Sequence, residues 1–169
     1  METVTTVKNL VLDAELIRRK IKRMALEVAE QNWEEKELVI AGIAGNGEVV
    51  AKALIKELDR LSVFKISFIT IQLNKKDPLQ VSLNTSSGFS NKVVLIVDDV
   101  ANTGKTMLYA LKPFLENYPK KIQTLVLVER SHKQFPVQTD FAGLSIATTL
   151  QEHIAVETEG ENITGAWLY

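Results

Sequence analysis

The chain has 169 residues, 46% hydrophobic and 24% charged, with 20 Lys and Arg set against 21 Asp and Glu. That balance is of one globular domain of ordinary size, able to bury a core without covalent staples. The absence of cysteine excludes a disulfide framework, thiolate zinc sites and a cysteine nucleophile and fits a reducing, cytoplasmic setting, and the net charge of -1 supplies no global basic field for nucleic acid.

The opening Met1–Leu12 has no basic start followed by an apolar run, so it does not read as a secretory signal. No apolar stretch approaches the ~20 residues that cross a bilayer, and no membrane partner is expected. Asp13 is placed to cap a helix running to about Asn32, with Leu16, Ile17, Ile21, Met24, Ala25 and Val28 on its apolar face. Its other face carries Arg18, Arg19, Lys20, Lys22 and Arg23, which read as a solvated basic side. Leu38–Ile43 is a continuous apolar run of the kind a buried parallel strand shows. Gly45-Asn46-Gly47 breaks it, and helical spacing resumes from Glu48 to Leu58. Val63–Leu73 reads as a second strand, and Asn74–Ser90 as a polar excursion holding a short hairpin. Val93–Val97 is the most apolar strand, followed by a helix over about Gly104–Tyr118 and a fourth strand at Ile122–Val128. Short strands are expected near Phe141–Ile146, His153–Val156 and Ile163–Leu168.

Strands alternating with helices predict an α/β fold, a mostly parallel twisted sheet with helices on both faces. In such sheets ligands bind beyond the carboxyl ends of the strands. Three places qualify: the loop at Ala44–Gly47, the loop at Asp98–Thr106, and the region after Val128.

The second of these carries the chemistry. An apolar strand delivers Asp98 and Asp99, and a small polar turn, Ala101-Asn102-Thr103-Gly104-Lys105-Thr106, then opens a helix. Backbone N–H groups at such a turn favour a phosphate, Thr103 and Thr106 add hydroxyl donors, and Gly104 permits close approach. Gly104-Lys105-Thr106 matches the end of the nucleotide-triphosphate motif G-x-x-x-x-G-K-[ST], but the first glycine of that motif falls on Asp99. A carboxylate there repels a triphosphate and suits ribose hydroxyls and a bound Mg²⁺. No catalytic triad pattern or metal-ligand cluster competes with this turn.

The run from Val93 to Thr106 resembles the phosphoribosyl-pyrophosphate (PRPP) signature of type I phosphoribosyltransferases. Leu125–Lys133, Pro136-Val137, Asp140–Gly143 and the start from Leu12-Asp13 to Arg19 are similar to the bifunctional pyrimidine-operon attenuator and uracil phosphoribosyltransferase family. The resemblance implies a single domain over 1–169, with a small hood formed by the N-terminal segment and roughly 130–169. It implies transfer of ribose 5-phosphate from PRPP to a nucleobase, uracil foremost, with Mg²⁺ carried by PRPP, no metal bound directly by the chain, and a homodimer. RNA is the family's other partner, which the near-neutral charge does not support. Asp98 and Asp99 would hold the ribose hydroxyls, and Ala101, Asn102, Thr103, Gly104, Lys105 and Thr106 would wrap the 5′-phosphate. Ala44, Gly45, Asn46 and Gly47 stand at the pyrophosphate loop, where Asn46 replaces a basic residue, and Lys75 lies near the position of a closing arginine. Ile146, Thr148 and Leu150 correspond to the base-binding hood. Asn102 stands where purine enzymes often place an aspartate, and His132 and His153 read as a loop residue and a structural one.

Overall fold

Successive residues of a strand face opposite ways, and the central strands of this chain are apolar on both faces. The computed structural model describes residues 7–169, so the first six residues of the expected N-terminal hood segment lie outside the described residues. Strand β2 (Glu37–Ile43) sends Leu38 and Ile40 into one core and Val39, Ala41 and Ile43 into another. Strands β5 (Val93–Ala101) and β6 (Lys121–Arg130) divide the same way: Val93, Leu95, Leu125 and Leu127 join the first core, while Val94, Ile96 and Val126 join the second. Helices α1 (Ala14–Gln31) and α2 (Asn46–Leu61) cover the first face, and the short α3 (Lys105–Ala110) and α4 (Lys112–Leu115) cover the second. The expected α/β sheet with helices on both faces is present.

With β3 (Lys65–Leu73), β4 (Val81–Leu83) and β7 (Phe141–Ile146), the main sheet has the order β4-β3-β2-β5-β6-β7. Every pairing in it is parallel except β3 with β4. The order reverses between β2 and β5, because the chain builds outward from β2 to β3 and then returns to build outward through β5. A second, antiparallel sheet of order β1-β9-β8 is formed by β1 (Asn9–Asp13), β8 (Ile154–Glu159) and β9 (Asn162–Leu168).

Local signals account for most boundaries. Asp13 caps α1, its side chain accepting from the Leu16 N–H at 2.8 Å. The buried stripe of α1 is Ile17, Ile21, Met24, Ala25 and Val28; Leu16, expected on it, lies one residue off the stripe and is exposed. On the basic side, Arg23 donates to the Ala142 and Gly143 carbonyls at 3.1 and 2.9 Å and so docks α1 on β7. The helix expected over Gly104–Tyr118 is broken into α3 and α4. Pro113 has no N–H for the ladder, and its ring crowds the carbonyl four residues back. β7 extends the main sheet beside β6, so of the stretch from 130 onward only β8 and β9 enter the separate sheet. β1 has no local signal, since its pairing with β9 joins chain ends that no local pattern links.

Candidate active site

The reversal between β2 and β5 opens a cleft of about 560 Å³ beyond their carboxyl ends. Such a crevice is where an open α/β sheet takes its ligand. β5 runs to Ala101, four residues past the expected Val97, because its last residues still pair with β6 in parallel: Asp98 with Val126, Val100 with Val128, Ala101 with Glu129. Both carboxylates therefore stand on rigid strand backbone.

They are not equivalent. Asp99 lines the cleft at 8% exposure, whereas Asp98 is sunk beneath it at 1%. Asp98 Oδ1 accepts the Asp99 backbone N–H at 2.9 Å. Lys75, from the loop after β3, places Nζ 3.1 and 3.3 Å from the two Asp98 oxygens and 3.5 Å from Asp99 Oδ1. Burial first, and the Asp99 charge second, push the Asp98 carboxyl up to about 8; Lys75 pulls the other way and does not restore the ordinary value. For Lys75, burial works against the charge, but the two aspartates together outweigh it and raise its pKa.

The Asp98 proton links the site to stability. The folded chain holds it up to about pH 8 and an ordinary carboxyl releases it near 3.8, so between these values the folded form binds more proton than the unfolded one. Stability from this group is then fully present at the acid end of that window and is lost as pH rises through it. Scanning calorimetry across the window is expected to show a falling Tm, and Asp98→Asn is expected to flatten that slope. A slope unchanged in the variant would assign the titration to another group.

The turn after β5 is braced from behind. The Thr103 carbonyl accepts the Gln134 and Phe135 N–H groups, each at 3.0 Å, and Thr103 Oγ1 accepts the Lys105 N–H at 3.2 Å. That hydroxyl keeps its proton free to donate to an anion. Gly104 has φ of +83° and lies against the Phe135 carbonyl, so a side chain there is disfavoured twice. Ala101, Asn102, Thr103, Gly104 and Thr106 all line the cleft, together with Val100 and Met107; Lys105 does not.

The loop after β2 behaves differently from expectation. Of Ala44, Gly45, Asn46 and Gly47, only Asn46 lines the cleft. The Ala44 N–H is taken by the Ile71 carbonyl at 2.9 Å. Gly45 adopts φ of +93° at the entrance to α2. Gly47 is buried, and a Cβ on it would lie 3.0 Å from Asp98 Oδ1 and 3.1 Å from the Val97 carbonyl oxygen. Its missing side chain lets α2 dock closely on β5. Glu48 steadies the turn by accepting the Thr70 hydroxyl at 2.6 Å.

The far wall of the cleft is His153, Ile154, Ala155 and Val156, at the start of β8. The residues expected there are elsewhere. Ile146 closes β7 and packs on the first core, Leu150 is 94% exposed, and neither they nor Thr148 reach the cleft lining. β7 continues the main sheet, so the chain travels past these residues before it crosses over the site. His153, expected to be structural, is at the cleft and also holds β9, with its ring edge-on to Tyr169 at 5.7 Å between centroids. The alternation at His153–Val156 was the available signal for this wall. Lys76 joins Lys75 at the rim. Among the described residues, no group of three or more His, Cys, Asp or Glu side chains is arranged to hold a metal ion, and no helix is long and apolar enough to cross a membrane.

Residues 9–159 match the family described as the phosphoribosyl transferase domain. The chain belongs to the phosphoribosyltransferase family. It is 32% identical over 168 residues to the bifunctional protein PyrR of Staphylococcus carnosus, spanning 92% of this chain and 96% of that one. The PyrR of Haemophilus ducreyi is 27% identical over 90% of this chain and 91% of its own. In fold, this phosphoribosyltransferase is similar to the hypoxanthine phosphoribosyltransferase of Trypanosoma cruzi, with a TM-score of 0.74 at 19% identity over 93% and 95% of the two chains. A hypoxanthine-guanine phosphoribosyltransferase from Bacillus anthracis gives 0.66 at 21% identity over 82% of each.

Proposed function

We propose that this phosphoribosyltransferase takes PRPP with its Mg²⁺ and a pyrimidine base, uracil foremost, and forms the nucleotide with release of pyrophosphate. One observation carries the reading: the acidic end of β5, the Ala101–Thr106 turn and the start of β8 face each other across a single cleft. The turn takes the 5′-phosphate through the Thr103 and Thr106 hydroxyls and backbone N–H groups. Asp99, at the cleft, takes the ribose hydroxyls, and Asp98 beneath it braces the end of β5 by accepting the Asp99 N–H. Mg²⁺ enters as part of the substrate, where it shields the pyrophosphate charge as that group departs; the acidic end of β5 suits such a cation, and among the described residues no third carboxylate or histidine joins the pair. The reaction centre becomes cation-like, so the work of the chain is to hold base and sugar in line and to stabilise the leaving group, without a covalent nucleophile.

Lys75 has a dual part in this reading. It shares the aspartate oxygens that a ribose would use, so substrate entry displaces its ammonium toward the pyrophosphate, where its charge is needed. As a point charge it does this without the two-pronged geometry of an arginine. Lys75→Ala is expected to lower turnover by about a hundredfold, the lower end of the scale for losing one donor to a transition-state charge, with PRPP as the affected substrate. Equal kinetics in the variant would remove the residue from the site.

Pyrophosphate release measured against a panel of free bases tests the whole proposal. Uracil as the preferred acceptor supports it; preference for hypoxanthine or guanine would move the assignment to a purine enzyme. A second reading, a nucleotide-responsive regulator that binds RNA with little turnover, is favoured by Asn46 standing where the family carries a cation. A salt-dependent gel shift with pyrimidine leader RNA, alongside an absence of pyrophosphate release, would select it. The same proposal takes the protein as a cytoplasmic homodimer, which sedimentation equilibrium tests.

A further inference from the structure

β8 is the edge strand of the small sheet, and its outer edge faces the main domain. His153 and Tyr169 exchange both backbone hydrogen bonds, at 2.7 and 3.0 Å. Pair types alternate along an antiparallel ladder, so Ile154 and Val156, opposite Leu168 and Ala166, turn their carbonyls away from β9. Each of these two outward carbonyls receives an asparagine. Asn46 Nδ2 donates to the Val156 carbonyl at 2.9 Å, and Asn102 Nδ2 donates to the Ile154 carbonyl at 3.4 Å. Asn46 is then held from its other side, Oδ1 accepting the Thr158 hydroxyl at 3.0 Å. Asn46 opens α2 just after β2 and Asn102 directly follows β5, the two strands that flank the reversal of the sheet.

We infer that Asn46 and Asn102 are a pair of positioning residues that pin the edge of β8 to both loops and so set the height of the cleft where a base is held. The inference rests on the proposed function for its kinetic consequence alone; the pinning is a property of the free protein. A carbonyl can only accept, so each amide must turn its nitrogen to β8, and the orientation of both side chains is determined. Asn102 is thereby committed to presenting Oδ1 as an acceptor, and that atom is buried with no partner among the described residues. An unpaired buried acceptor carries a desolvation penalty, which a donor N–H on a base, such as the ring N–H of a pyrimidine, removes. Asn46, at the pyrophosphate loop, acts on β8 instead of on phosphate.

Thr158 is the informative handle, because it touches Asn46 and does not line the cleft. Hydrogen exchange of the ligand-free protein, read over residues 153–159, is compared for Thr158→Val, Thr158→Ser and Asn46→Ala. Exchange is expected to quicken about tenfold in Thr158→Val and Asn46→Ala and to return toward the parent rate in Thr158→Ser, while the main-sheet strands β2 and β5 keep their protection. In steady-state assays the same two variants are expected to raise KM for the base several-fold and to leave KM for PRPP within about twofold. Unchanged exchange in both variants overturns the inference. So does a rise in KM for PRPP alone in Asn46→Ala with Thr158→Val like the parent, which would make Asn46 a phosphate ligand. If no base is turned over, the proposed reaction fails, and the exchange rates still decide the pinning.

Discussion

Asp99→Asn is expected to lower turnover with PRPP by at least about a hundredfold while leaving the fold in place. The magnitude is that of removing one preorganised electrostatic contact from a site shielded from bulk water. Asparagine matches aspartate in size, so the packing at the end of β5 is kept. The change also removes a negative charge that lies against Asp98 and is one of the causes of its raised pKa, which offsets the weaker contact to Lys75 at 3.5 Å. Tm should therefore stay within a few degrees of the parent. Calorimetric titration with Mg²⁺-PRPP, together with single-turnover rates, separates lost binding from lost chemistry. Parent-like kinetics would mean that the carboxylate facing the cleft plays no part in holding the sugar.

The largest effect on stability is expected far from the ligand, in Gly143→Ala. A Cβ at Gly143 would lie 2.4 Å from the Leu127 carbonyl oxygen, well inside contact distance and against strand backbone that cannot rotate away. Leu127 lies mid-strand in β6, and β7 is held on its other side by Arg23 of α1, bonded to the Ala142 and Gly143 carbonyls. Relief requires β7 to separate from β6 or α1 to give up that anchor. Overpacking of a tight core costs about 1–3 kcal/mol where side chains can adjust, and here the obstacle is backbone, so a loss of about 3 kcal/mol or more is expected. Urea unfolding should show a lower midpoint at unchanged slope. A parent-like midpoint would show that β7 has room to move. Comparison with Gly45→Ala is instructive, because there the cost comes from φ of +93° and not from contact, with nothing within 4 Å of the added carbon.

Much of the main sheet was legible in the chain. Continuous apolar runs at Leu38–Ile43 and Val93–Val97 have the length and β-branched content of strands covered on both faces, and Asp13 before a 3.6-residue stripe announces a helix. The acid pair and the threonine- and glycine-bearing turn are contiguous, so their juxtaposition needs no folding argument. For the same reason Ala101, Asn102, Thr103, Gly104 and Thr106 reach the cleft together. Other placements are set by long-range packing. The roles of Gly47 and Asn46 depend on partners 51 and more than 100 positions away, Asp98 and Val156. The far wall of the cleft is formed by His153–Val156, and Ile146–Leu150 lies off it, because β7 joins the main sheet.

What the sequence by itself determined is the class of sheet, the order of its elements and the chemical character of the turn after β5, all of which depend on neighbours along the chain. Only the tertiary structure decided which aspartate lines the cleft and which lies beneath it. It also decided that Lys75 spans the pair, and that two asparagine side chains meet the outer edge of β8. The physical reason is that solvation, like-charge proximity and edge-strand hydrogen bonding are properties of groups that meet in space, and spacing along a chain carries no record of them.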